Sequence, residues 1–168
     1  MREVMWQGKF ITAVREGQWE YVERAGRIGA VVIFAEHDGK VVLVEQHRVP
    51  IGRRCIELPA GLIGDTQSED SIEAAARREL AEETGFRAEH IEIIGEFYSS
   101  PGMVAESFTL VRASGLSRCG VGGGVDGEDI VTHLVARADL TDFIADKHRE
   151  GVGIDVKMLL LLGASMAP

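Results

Sequence analysis

GLIGDTQSEDSIEAAARRELAEETGF, residues 61–86, holds seven acidic residues against two arginines, so more than half of the chain's formal net charge of −9 falls in this one stretch. Its second half, from Ser71 to Thr84, is rich in Ala, Arg and Glu, all strong helix formers. Ser71 is a natural N-cap and Gly85 a natural left-handed terminator, so a helix is expected over 71–84. On that helix Glu79, Glu82 and Glu83 stand three and four residues apart and share one face within a turn. Each like-charge pair at such spacing costs roughly 0.2–0.5 kcal/mol in solvent, and more when partly buried. A cation relieves that cost. Arg78 reaches Glu82 across one turn, but one guanidinium cannot neutralise three carboxylates. Oxygen ligands with no His or Cys beside them suit a hard ion, Mg²⁺ or Mn²⁺. Without further context, such a Glu pair reads first as a solvated acidic face.

Working outward, Phe10–Val14 and Trp19–Glu23 flank a Glu16-Gly17 turn, and Ala30–Phe34 and Val41–Val44 flank Asp38-Gly39, two hairpin signatures. A loop holding Pro50, Gly52 and Pro59 is expected between them and the helix. Ile91–Tyr98, Ser107–Arg112 and Ile130–Arg137 read as three more strands, and Asp139–Lys147 and Ile154–Leu162 as helices. Gly120-Val-Gly-Gly-Gly124 reads as a flexible tip.

The chain's 168 residues suit one domain, and 45% hydrophobic with 27% charged residues is ordinary globular composition. A net charge of −9 repels a phosphate backbone, so nucleic acid is not an expected partner. No apolar run approaches the ~18–20 residues of a spanning helix, and the amino terminus lacks a signal-peptide core. No membrane partner is therefore expected, and a cytoplasmic location is the default. Cys55 and Cys119 lie far apart without metal spacing and read as free thiols.

Arg78-Glu79-Leu80-Ala81-Glu82-Glu83-Thr84-Gly85-Phe86 matches the second half of the Nudix box, G-x5-E-x7-R-E-U-x-E-E-x-G-U, with U aliphatic or aromatic. The chain resembles a Nudix hydrolase, and its other segments look like the ADP-ribose and ADP-sugar pyrophosphatases of that superfamily. The first half departs from the pattern. Asp70 stands where the box has Glu, and Gly61, after Leu58-Pro59-Ala60, implies about three extra loop residues; Gly64 is the glycine that keeps the box spacing. The Asp substitution bears on the support of Arg78, which that box position helps to hold in the family.

The resemblance implies an α/β (α+β) fold, the Nudix α/β/α sandwich around a mixed sheet, with strands of residues 1–26 exchanged or packed across a homodimer. It implies metal ligands at the Ala60 carbonyl oxygen, Glu79, Glu82, Glu83 and Glu128, with catalytic roles for Glu128, Glu82 and Arg78. Glu128 lies in Asp126-Gly-Glu-Asp129, where relatives carry a catalytic glutamate on a mobile loop; Asp126 is the fallback, and an ordinary surface turn the plain alternative.

For the substrate, the resemblance assigns Phe10 and Trp19, one from each subunit, to sandwich the adenine. Glu20 and Arg24 would contact the nucleotide and Arg48 the phosphates. A π face for the base and paired guanidinium bonds for the diphosphate make chemical sense. The plain alternative for Phe10 and Trp19 is core packing. Pro101 and Gly102 form a turn fifteen residues beyond the box, a spacing similar to that of ADP-ribose pyrophosphatases, although Ser-Pro-Gly also makes ordinary turns. The implied reaction is hydrolysis of ADP-ribose to AMP and ribose 5-phosphate. Its rivals are another nucleoside diphosphate sugar, such as ADP-glucose or GDP-mannose, and a catalytically silent module that senses ADP-ribose. His133, near this site, reads as structural.

Overall fold

The computed structural model describes residues 1–27, 29–64, 71–125 and 127–161. Both expected hairpins form. Asp38 and Gly39 take positive φ values of 49° and 72°, the geometry that matches the twist of the strands they join. An amino-terminal antiparallel sheet comprises β1 (Arg2–Gln7), β2 (Ile11–Glu16) and β3 (Trp19–Arg24). Next come β4 (Ala30–His37), β5 (Lys40–Arg48), β6 (Arg53–Glu57) and β7 (Ala60–Leu62). Helix α1 (Ile72–Thr84) leads into β8 (Phe86–Arg87), β9 (His90–Tyr98), β10 (Ser107–Ser114) and β11 (Ser117–Arg118). Then follow β12 (Val131–Ala136), α2 (Leu140–Arg149) and β13 (Gly153–Ile154).

The main sheet runs β13-β6-β5-β4-β10-β9, with β12 also on β5 and β7 also on β4. It is mixed: β10 lies parallel to β4 and β13 parallel to β6, while the other pairings are antiparallel. Strand alternation splits the core between its two faces. Val31, Ile33 and Ala35 of β4 pack with Ala75, Ala76 and Leu80 of α1. Val32 and Phe34 point the other way, into a cluster with Leu43, Ile56 and Leu140 of α2. This is the expected α/β/α sandwich.

Strands β4 and β5 pair only beside their turn, at Glu36–Val41 and His37–Lys40. Beyond that they splay, β7 filling in against β4 and β6 against β5. The gap between these two halves becomes the mouth of a cleft.

Three sequence expectations are corrected. The loop holding Pro50, Gly52 and Pro59 contains β6 and β7, because pairing with β5 and β4 extends segments too short or too polar to declare themselves. The helix expected over Ile154–Leu162 is replaced by β13 and a 3₁₀ stretch, Val156–Leu161; Leu162 lies outside the described residues. Asp155 starts the stretch by accepting from the Lys157 N–H at 2.7 Å. The glycines around 120–124, read as a flexible tip, are docked on the end of α1. The Gly123 and Gly124 N–H groups donate to the Glu83 and Glu82 carbonyls, each at 2.9 Å, taking up acceptors that a helix terminus leaves unfilled. At Gly122, with φ 72°, a Cβ would lie 2.5 Å from the Thr84 carbonyl carbon, so the glycine serves close backbone approach.

Candidate active site

Helix α1 is placed by its ends. The Ser71 hydroxyl accepts from the Ala74 N–H, and the left-handed Gly85 returns its N–H to Ala81. Its last turn carries the glutamates beside β7. The Glu83 carboxylate accepts from the Ala60 N–H at 3.1 Å and is buried. Glu79 lies against Gly61, where a Cβ would come within 1.9 Å of its carboxyl carbon. Arg78 donates to Glu79 at 2.6 Å, to the Leu62 carbonyl at 3.1 Å and to Glu82 at 3.5 Å, tying the helix to β7. Asp70, the residue whose support of Arg78 was in question, and Asp126, the fallback base, lie outside the described residues.

A cleft of about 750 Å³ opens at the splay of β4 and β5. Glu79, Glu83, Ala60 and Glu128 line it together with Arg24 and Arg48. Glu82 does not itself line the cleft; it meets Arg78 at 3.5 Å. The Glu128 carboxylate accepts from the Val125 N–H at 3.1 Å and sits over Gly124, where a Cβ would come within 2.4 Å of it.

Phe10 and Trp19 are exposed and outside the cleft wall, as are Glu20, Pro101 and Gly102. Phe10 precedes β2 and Trp19 pairs with Glu16 at its far end, so about 20 Å of strand separates them. The Ser-Pro-Gly turn is stitched to β3: the Val22 N–H donates to Met103 and the Ala105 N–H to Val22, each at 2.9 Å. That stitch brings Arg24 to Glu106, at 2.6 Å.

Two partners of the cationic residues were not singled out from the sequence. Glu57 holds Arg48 through two bonds of 2.6 and 2.7 Å, and Glu106 holds Arg24. Glu57 had a signal: a carboxylate inside Cys55-Ile-Glu-Leu is rarely buried without a partner. His133 meets Glu45 at 3.0 Å and packs on Phe143, in keeping with a structural role. Both cysteines are free thiols, Cys55 buried and Cys119 exposed.

The electrostatics of the glutamate wall are unfavourable as they stand. Burial is the main force raising the Glu83 carboxyl from 4.5 to about 8; the charges of Glu79 and Glu128 push the same way, against the Ala60 N–H and Arg48. Such a group binds either a proton or a cation. Among the described residues no three His, Cys, Asp or Glu side chains already converge as a metal-holding group. The all-oxygen donor set and the mutual repulsion across it fit a hard divalent ion.

A model of the NUDIX domain matches residues 25–114, more than half of the chain, and spans β4 through β10 with the whole of α1. The chain belongs to the NUDIX family. This NUDIX chain is 37% identical over 116 residues to the methanol dehydrogenase activator of Bacillus methanolicus, covering 68% of this chain and 61% of that one. It is 37% identical over 146 residues to the GDP-mannose pyrophosphatase of Cronobacter sakazakii, 82% of this chain and 72% of that one. It is 40% identical over 90 residues to the ADP-ribose pyrophosphatase of Bacillus subtilis, 53% of this chain and 47% of that one. The chain thus spans about half to three quarters of the length of these curated relatives. The crystal structure of an ADP compounds hydrolase has the same fold, with a TM-score of 0.71 at 20% identity over 96% of this chain and 89% of that one. Among the described residues no helix is long and apolar enough to cross a membrane.

Proposed function

We propose that this NUDIX chain hydrolyses the diphosphate bond of a nucleoside diphosphate sugar, converting ADP-ribose to AMP and ribose 5-phosphate. The observation that carries the reading is one cleft holding the carboxylates Glu79, Glu83 and Glu128 together with Arg24 and Arg48. A diphosphate needs both sets, cations for its oxygens and carboxylates for the chemistry.

Glu79, Glu82, Glu83, Glu128 and the Ala60 carbonyl would hold Mg²⁺, or Mn²⁺ in its place. When bound, the ion polarises phosphoryl oxygens and makes water a stronger nucleophile. The chain's own residues do the rest. Arg48 and Arg24 leave Glu57 and Glu106 for the phosphates, through paired charge-assisted bonds. Glu128 takes the proton of the attacking water as its oxygen bonds to phosphorus in line and the bridging P–O bond breaks. Arg78 keeps Glu79 and Glu82 in register with β7.

Product analysis with Mg²⁺ tests the reading: AMP and ribose 5-phosphate are expected from ADP-ribose, ahead of ADP-glucose and GDP-mannose. A clear preference for GDP-mannose replaces the substrate, a reading favoured by the 82% coverage of this chain by the Cronobacter sakazakii relative. Tight binding of ADP-ribose without turnover replaces the enzyme by a sensing module. Glu128→Gln should lower kcat roughly 10²- to 10⁴-fold with little change in KM. An unchanged kcat moves the base elsewhere.

The reading includes a homodimer. Val4, Met5 and Trp6 lie exposed on β1, the free edge of the amino-terminal sheet, with Phe10 and Ile11 exposed nearby. Exposed apolar edge strands favour pairing. The length of β2 between Phe10 and Trp19 also means that a base sandwiched between such residues needs the second chain. Sedimentation should give a dimer for the wild type and a monomer for Met5→Lys; a monomeric wild type refutes the pairing. The reading also takes the reaction to be cytoplasmic, a compartment in which thiols stay unbridged.

A further inference from the structure

Glu45 is a buried carboxylate on β5, an apolar strand, and no catalytic role accounts for it. One of its oxygens accepts from Arg54 Nε of β6 at 2.8 Å. The other meets His133 Nε2 of β12 at 3.0 Å and Lys147 Nζ of α2 at 3.1 Å. Arg54 adds a bond from Nη2 to the Glu45 carbonyl at 2.8 Å. The guanidinium is therefore fixed from the inside, and its outer edge faces Asp129, the residue that follows Glu128. Nη1 donates to Asp129 Oδ2 at 2.7 Å and Nη2 to the Asp129 carbonyl at 3.2 Å.

Asp129 is largely solvent-exposed, and an exposed ion pair ordinarily contributes little because two long side chains must be immobilised. Here that cost is already met. Glu45 holds Arg54 whether or not Asp129 is present, so the loop docks on a preformed cation through both side chain and backbone. Upstream of Glu128, the loop is held by α1, through Gly123 and Gly124 on the Glu83 and Glu82 carbonyls. Glu128 thus sits between two anchors, one on the glutamate helix and one on β6. We infer that Asp129, seated on Arg54 and Glu45, is a positioning residue that sets the reach of Glu128 toward the cleft.

This inference rests on the proposed hydrolysis for its kinetic readout. Asp129→Ala should lower kcat roughly tenfold to a hundredfold, as misplacement of a reacting group by about 1 Å does, with KM within about twofold of wild type. Asp129→Asn, which still accepts from Arg54, should recover most of the loss. In a Glu128→Gln background Asp129→Ala should cost nothing more, because the anchor acts only through that carboxylate. An unchanged kcat, or a loss that simply multiplies with that of Glu128→Gln, overturns the inference. A wild type that turns over no nucleoside diphosphate sugar defeats the proposed function alone. The anchor is then decided by hydrogen exchange: Asp129→Ala should speed exchange at the Glu128 and Ile130 amides about tenfold. Unchanged exchange there overturns it.

Discussion

Glu83→Gln is expected to abolish hydrolysis and, at the same time, to flatten the dependence of stability on pH. In the proposed reaction, loss of one carboxylate ligand would remove charge stabilisation of several kcal/mol, so kcat/KM should fall roughly a thousandfold or more. The stability effect follows from burial. In the folded protein the Glu83 carboxyl is raised to about 8, while in the unfolded chain it returns to its ordinary 4.5. Between those values the folded state holds a proton that the unfolded state has released. Its contribution to stability is therefore greatest below about 4.5 and declines as pH rises toward 8, by up to about 5 kcal/mol across the window. A glutamine cannot titrate. Melting temperatures without added metal should fall across that range in the wild type and hold level in Glu83→Gln. Mg²⁺ at pH 8 should raise the wild-type value and leave the variant unmoved. A wild type whose melting temperature is level across the range refutes the buried-carboxyl account.

Gly61→Ala is the second large effect, and it separates activity from folding. The backbone at Gly61 needs no left-handed geometry, so alanine is tolerated there. Its methyl would occupy the place of the Glu79 carboxyl group, 1.9 Å from the carboxyl carbon. That group is the far end of a flexible side chain and can swing aside without disturbing the helix. The melting temperature should stay within about 3 °C of wild type, while kcat/KM drops about a hundredfold from displacement of one ligand. Full activity in this variant means that the Glu79 position is not used.

The glutamate helix was legible because its information is local. Ser71, the run of Ala, Arg and Glu, and Gly85 specify start, body and end, and three-and-four spacing puts the acids on one face. The hairpins were legible for the same reason, through Asp38-Gly39 and Glu16-Gly17. Strand β6 was not, since Arg53-Arg54 open it with charge and only pairing with β5 makes it extended. Nor did composition reveal what the glycines near 122 do: they look like hinges until the end of α1 is seen pressed against them.

By itself, then, the sequence determined which residues carry charge on which face of which element, because helix period, caps and turn chemistry act over a few neighbours. Tertiary structure alone decided that β4 and β5 splay into a cleft, that Arg48 meets Glu57 and Arg24 meets Glu106, and that Glu45 holds Arg54 beneath Asp129. Those pairings join residues between 9 and 82 positions apart. They arise only once burial of the core has met the entropy of closing the loops between them, a balance struck by the whole chain and written in no short stretch of it.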